Sequence, residues 1–168
     1  GPIDDVLTIA NSQNLAVIGL GTGQLGCFDK KQKTDFYEID PDIVKMSDDY
    51  FPYLKQCPPR NIYVGDGRIE MQKSLTKYDV ILQDAFTSDG IPMHLLTLEA
   101  FADYRTKVTK HGIMLFHISN RYLNLAPPIA ATVDKLHLKA YHKLHTPDKK
   151  IKFTMLSDWI AVPMNDAE

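Results

Sequence analysis

Residues 15–20 read LAVIGL, an almost unbroken apolar run that stops on Gly19-Leu20-Gly21-Thr22-Gly23, and a second run over 34–39 stops on Glu38-Ile39-Asp40. A strand that is apolar on both faces belongs in a parallel sheet covered by helices on both sides. A glycine-rich turn behind such a strand lets the backbone approach a ligand and frees amide N–H groups. An acid at the tip of the next strand accepts both hydrogens of a ribose diol. The interval from the glycines to Glu38 is close to the roughly 20 residues of a nucleoside-binding unit. The pattern points to an α/β chain that binds an adenine nucleoside.

The rest of the chain repeats the alternation. Asp40-Pro41 offers a helix N-cap followed by proline at the first helical position, and Pro52 bounds that helix. Residues 61–64 form a third strand closing on Gly65-Asp66-Gly67, and residues 78–82 a fourth closing on Asp84. Thr97 caps a helix carrying Phe101, Tyr104 and Val108 at helical spacing, with His111-Gly112 as its stop. Residues 112–118 read as a fifth strand and 127–137 as a helix. Strands over 139–145 and 153–162 follow, joined by the turn Thr146-Pro147-Asp148. Two closing strands without a helix between them imply an antiparallel final strand on an otherwise parallel, Rossmann-like sheet.

Composition narrows the function. At 168 residues and 44% hydrophobic, the chain holds one core. A net charge of −2 gives no diffuse basic surface for nucleic acid, so the expected partner is small. The basic stretches Lys30-Lys31-Gln32-Lys33 and Lys149-Lys150-Ile151-Lys152 read as solvated loops. No run reaches the roughly 18 residues of a membrane span, and no secretory signal is present. Cys27 and Cys57 lie far apart and read as reduced thiols of a cytoplasmic protein. Gly1-Pro2 resembles the scar of a cleaved expression tag. Residues 1–14 then read as scar and lead-in, and 15–168 as a single domain of a fragment.

In an open α/β sheet ligands lie beyond the carboxyl ends of the strands, so Gly19, Gly21, Thr22, Gly23, Glu38, Asp66, Gly67, Asp84 and Asp89 should converge on one crevice. Tyr37-Glu38-Ile39-Asp40, Gly65-Asp66-Gly67 and Tyr78-Asp79-Val80-Ile81 leading to Asp84 and Asp89 resemble the spermidine synthase (polyamine aminopropyltransferase) family. That resemblance implies the class I methyltransferase fold over 15–162. His117-Ile118-Ser119-Asn120-Arg121-Tyr122 is similar to a divergent bacterial branch often fused to membrane segments. The resemblance implies that Glu38 holds the ribose hydroxyls, that Asp66 accepts from the adenine amino group and that Gly67 presents backbone beside the base. It implies decarboxylated S-adenosylmethionine as co-substrate, a polyamine as acceptor, Asp84 as base and Asp89 as a supporting anion. No metal is implied. A cytoplasmic location follows, free or as the cytoplasmic domain of a membrane protein, and a homodimer is compatible with it.

Three departures qualify the resemblance. The family's glycine loop commonly carries an Asp that binds the aminopropyl ammonium, and Thr22 stands there. The loop from Asp84 to Asp89 is two residues longer than usual. The family's small N-terminal β domain, which covers the amine site, precedes the region matched here, so the isolated chain is expected to be nearly inactive.

Other readings stay open. A methyltransferase using S-adenosylmethionine needs the same loop and acids, and neutral Thr22 would not repel that ligand's carboxylate. A nucleoside-binding module of the same fold without catalysis is a third class. Gly21-Thr22-Gly23-Gln24-Leu25-Gly26 also fits a dinucleotide fingerprint, which leaves Asp66 without a role. His142 and His145 read as strand or turn residues rather than metal ligands. His117 reads as a satisfied core histidine with Ser119-Asn120-Arg121 at the pocket rim, and Trp159 as core. Phe86 and Tyr122 each read first as packing residues, though they are better placed than Trp159 to shield a sulfonium.

Overall fold

The apolar runs become the middle of a seven-stranded sheet in a computed structural model that describes residues 1–29, 31–86, 90–120, 123–146 and 156–165. The strands are β1 (Asn14–Ile18), β2 (Lys33–Glu38), β3 (Asn61–Val64), β4 (Tyr78–Gln83), β5 (Val108–His117), β6 (Tyr141–His145) and β7 (Ser157–Pro163), in the order β3-β2-β1-β4-β5-β7-β6. β1 to β5 pair in parallel, whereas β7 runs antiparallel between β5 and β6. The mostly parallel sheet with its antiparallel final strand is therefore the architecture expected of the sequence. Thr146 is described, but Pro147, Asp148 and residues 149–155 of the expected closing turn and strand lie outside the described residues.

Helices cover both faces: α1 (Pro2–Ile9), α2 (Pro41–Tyr50), α3 (Tyr53–Gln56), α4 (Gly67–Lys73), α5 (Leu98–Lys107) and α6 (Ala126–Lys135). Alternate residues of each central strand serve opposite faces. Ala16, Ile18, Ile81, Met114 and Phe116 pack with Met71 of α4, Phe101 and Tyr104 of α5 and Val133 of α6. Leu15, Val17, Val80, Leu82 and Leu115 pack with Leu7 of α1 and Leu54 of α3. This two-sided burial explains why the strands read as continuous apolar runs.

The predicted caps form. Asp40 accepts from the Asp42 N–H, with Pro41 in the first turn, and Thr97 Oγ1 accepts from the Ala100 N–H. Three expectations change. The lead-in over 1–14 contains α1, whose Leu7 closes one face of the core. The helix capped by Thr97 ends at Lys107, and His111-Gly112 lies inside β5. Val108 pairs with Tyr78 and the ladder resumes at Ile113 opposite Val80, so the intervening residues form an irregularity on the strand. The two thiols are joined: Cys27 and Cys57 form a disulfide with Cα atoms 5.2 Å apart. The short 3-10 helix Gln24–Cys27 packs on α3 and brings together positions separated by 30 residues, which no sequence spacing could reveal.

Candidate functional site

The carboxyl ends of β1, β2, β3 and β4 open on a cleft of about 370 Å³, within the range of small-molecule sites. Gly19, Gly21, Glu38, Asp66, Gly67 and Asp84 line it, together with Phe86 and His94. The predicted convergence of strand tips is thus realised for six of the candidate residues. Thr22 and Gly23 belong to the same turn but are absent from the cleft lining. Gly23 has a structural task, since its φ of 79° opens the 3-10 helix and a Cβ there would lie 2.6 Å from Leu54 Cδ2. Asp89, Arg121 and Tyr122 lie outside the described residues.

The glycine turn is fixed from several sides. Gly19 N–H donates to the Tyr37 carbonyl at 2.8 Å, and Ser47 of α2 donates to the Gly21 carbonyl at 2.5 Å. A Cβ on Gly19 would sit 2.6 Å from the Asp84 carbonyl oxygen, and its φ is 101°. Only glycine lets the β1 turn and the segment after β4 approach so closely.

Glu38 is the bridge between turn and cleft. Its Oε2 accepts the Leu20 N–H at 2.9 Å and its Oε1 accepts the Asp40 N–H at 3.0 Å. A carboxylate has about four acceptor sites, so two backbone bonds hold the group while leaving each oxygen able to accept again. Asp66 does double duty as well. Its Oδ1 caps α4 by accepting from Arg68 and Ile69 N–H, and its Oδ2 lies 2.9 Å from His94 Nε2. Tyr37 forms part of the lining, and burial pushes its phenol up from the usual range.

Asp84 follows β4 and meets His117 at the end of β5. Its Oδ1 lies 2.7 Å from His117 Nδ1, while no described residue donates to Oδ2. The imidazole stacks on Trp159 at 4.1 Å and meets Phe86 edge-on at 4.9 Å. His117 Nε2 is 2.8 Å from Ser119 Oγ, which accepts the Asp158 N–H. Ser119 and Asn120 line a neighbouring cavity of about 500 Å³ with His142 and Asp158 rather than the cleft itself. His142 and His145 sit on β6, and His142 Nε2 contacts Asp158 Oδ1 at 2.5 Å.

Sequence reasoning passed over His94 and placed His117 in the core. Nothing in one sequence singles out His94, which is carried by a 3-10 turn without periodicity. His117 had a usable signal. It ends a buried strand at the same sheet edge as the acids, and the rule that selected Glu38 and Asp84 selects it too.

The arrangement offers two anchored carboxylates for hydroxyl or amino donors and a third with an open oxygen for a cation or a proton. Comparison with known proteins agrees with this geometry. The spermine/spermidine synthase domain model matches residues 6–142. The polyamine aminopropyltransferase of Vibrio vulnificus (strain CMCP6) is 29% identical over 110 residues, 61% of this chain and 36% of that protein. The chain thus spans little more than a third of that relative. Human methyltransferase-like protein 13, solved in complex with SAH, superposes with a TM-score of 0.73 at 18% identity, covering 96% of this chain and 76% of that one. A spermidine synthase in complex with the transition-state analogue AdoDATO gives a TM-score of 0.66 at 17% identity, covering 92% of this chain and 54% of that one. These two likenesses establish the class I methyltransferase fold.

Proposed function

This chain belongs to the spermine/spermidine synthase domain family, and from that premise we propose that its cleft takes decarboxylated S-adenosylmethionine and that Asp84 serves aminopropyl transfer to a polyamine. One observation carries the reading: Glu38, Asp66 and Asp84 face a single cleft beside Gly19 and Gly21. The named ligands of the AdoDATO-bound and SAH-bound neighbours support an adenosyl group in a cleft of this fold.

Glu38 accepts from the ribose hydroxyls with the lone pairs its two backbone bonds leave free. Asp66 Oδ2 accepts from the adenine amino group while His94 holds it from the other side. The co-substrate, when bound, supplies an electrophilic aminopropyl carbon on a sulfonium. Phe86, 40% exposed at the cleft, shields that cation. Asp84 attracts the acceptor ammonium through Oδ2 and takes its proton as the amine nitrogen forms the new C–N bond and the C–S bond breaks. An alkylammonium holds its proton to a pKa of roughly 10.4, so the amine needs such an acceptor near neutral pH.

A second reading, methyl transfer from S-adenosylmethionine, is favoured by the SAH-bound neighbour. Product formation separates the two. In the full-length protein, decarboxylated S-adenosylmethionine with putrescine or spermidine should yield the aminopropylated amine and methylthioadenosine, while the isolated chain stays nearly inactive. Asp84→Asn should lower turnover by roughly 10²–10⁴-fold, the range for a positioned acid or base. Equal turnover by Asp84→Asn removes Asp84 as base. Methylation of an acceptor in place of aminopropyl transfer establishes the second reading.

A further inference from the structure

We infer that His117 is the positioning residue of Asp84: its Nδ1–H holds Oδ1, so that Oδ2 alone meets the acceptor amine, and Ser119 holds the ring in the Nδ1–H tautomer. This inference rests on the reading of Asp84 given above and assigns the group that controls it.

The acid sets the tautomer: an ionised carboxylate only accepts, so the hydrogen between Asp84 and the ring belongs to Nδ1. Ser119 Oγ accepts the Asp158 backbone N–H at 2.9 Å, which leaves its own hydroxyl hydrogen free to donate. His117 Nε2 lies 2.8 Å away and accepts it. A neutral imidazole that accepts at Nε2 carries its hydrogen at Nδ1, and Nδ1 is 2.7 Å from Asp84 Oδ1. An ionised carboxylate can only accept, so each bond in the chain Ser119 to His117 to Asp84 runs in one direction. The aromatic contacts then fix the ring plane. Trp159, buried in β7, stacks on the imidazole with an interplanar angle of 4°, and Phe86 meets it at 79°. The stack holds the ring plane, and within that plane Nδ1 is the nitrogen that faces the acid.

The chemical effect lies in what this leaves free. A carboxylate with two equivalent oxygens can rotate or share the incoming ammonium between them. Asp84 with Oδ1 held presents one oxygen in one orientation, which is the requirement for in-line attack by a positioned amine. The constellation has the order of a Ser-His-Asp triad. Its open end is the acid facing the cleft, and the acid is the reacting group.

The experiment has two independent readouts. In the isotope-labelled chain, long-range ¹H–¹⁵N correlation should show His117 with a protonated Nδ1 and a bare Nε2. Ser119→Ala should shift this pattern toward a mixture. A protonated Nε2 with a bare Nδ1 in the parent overturns the inference, whatever the chain catalyses. For turnover, His117→Asn keeps an N–H at the Nδ1 position, and His117→Phe keeps the stack on Trp159 but has no donor. His117→Asn should stay within about 5-fold of the parent, whereas His117→Phe should lose about 10–100-fold in kcat, the scale of one hydrogen bond to a charged group. The KM for the co-substrate should hold in both. Equal losses in the two variants, or none in His117→Phe, overturn the inference. Turnover is read in the full-length protein: absence of aminopropyl transfer there, with the Nδ1–H pattern intact in the chain, overturns the functional reading and leaves the tautomer assignment standing.

Discussion

The parallel strands carry acids at both ends, and the two ends treat them in opposite ways. Near the amino end, Asp35 is 0% exposed and its two oxygens accept from Arg60 Nε at 2.9 Å, Arg60 Nη2 at 2.6 Å, Asn61 Nδ2 at 3.0 Å and the Tyr78 hydroxyl at 2.8 Å. Its acceptor capacity is full. Asp79 likewise ties down the start of β1 by accepting from Gln13 and Asn14 N–H. At the carboxyl end, Glu38 retains acceptor capacity and Asp84 keeps one oxygen without a described donor. A closed network removes a buried charge's desolvation cost and contributes stability, whereas an open one leaves electrostatic work for a ligand. Residue type alone does not separate Asp35 from Glu38 and Asp84; the number of donors around each carboxylate does.

Asp35→Ala tests the closed end and should have the largest effect on stability. It strands the Arg60 guanidinium, whose pKa the hydrogen bonds to Asp35 raise, and it removes the acceptor of Tyr78. Urea denaturation should show a loss of about 4 kcal/mol, since several hydrogen bonds to a charged group are lost at about 1.5–3 kcal/mol each. Methylthioadenosine affinity of the folded fraction should hold. A comparable loss of affinity at unchanged stability would erase the distinction between the two ends.

The disulfide ties the 3-10 helix that follows the glycine turn to the end of α3. Cys27→Ser with Cys57→Ser should cost about 3.6 kcal/mol in the same assay, the chain-entropy value for a closed loop of 30 residues. A midpoint unchanged by reduction or by the double variant would show that packing of the 3-10 helix on α3 suffices by itself.

The closed end also sets a pH limit. Burial, above all, raises the phenols of Tyr37 and Tyr78, which share a hydrogen bond of 2.7 Å. A raised acid keeps its proton in the fold after the unfolded chain has lost it. The contribution to stability is therefore complete below the unfolded value of about 10 and declines as pH rises above it. Tyr78→Phe should flatten the alkaline decline followed by circular dichroism. A decline of the same steepness in the variant would locate it elsewhere.

Much of this was legible in the sequence. Strand β3 over Asn61–Val64 and the caps Asp40 and Thr97 were set by local chemistry, and the strand-tip rule gathered Gly19, Gly21, Glu38, Asp66, Gly67 and Asp84 into one cleft. What escaped depends on contacts distant in sequence. Asp35 looks like any strand acid until Arg60 and Tyr78 arrive, 25 and 43 positions away. The disulfide needs the 3-10 helix to land on α3, and α4 begins on glycine, which local propensity disfavours. Helical spacing at Phe101, Tyr104 and Val108 ran on into β5, because the pairing of Val108 with Tyr78 is a tertiary fact.

Thr22→Asp should have the smallest effect. The cleft lining passes through Gly19 and Gly21 and not through Thr22. The affinity ratio of methylthioadenosine to S-adenosylhomocysteine should therefore move by less than about 3-fold, since a charge outside the cleft is screened by solvent. A larger shift would bring the ligand's tail against this loop.

Calorimetric titration of methylthioadenosine into the parent, Glu38→Ala and Asp66→Ala tests the central claim, that the cleft-facing acids at the carboxyl end are the ligand site. The parent should bind, and each variant should lose about 1.5–3 kcal/mol, the range for hydrogen bonds to a charged group. Parent-like binding by both variants, or tighter binding of NADH than of methylthioadenosine by the parent, would contradict it.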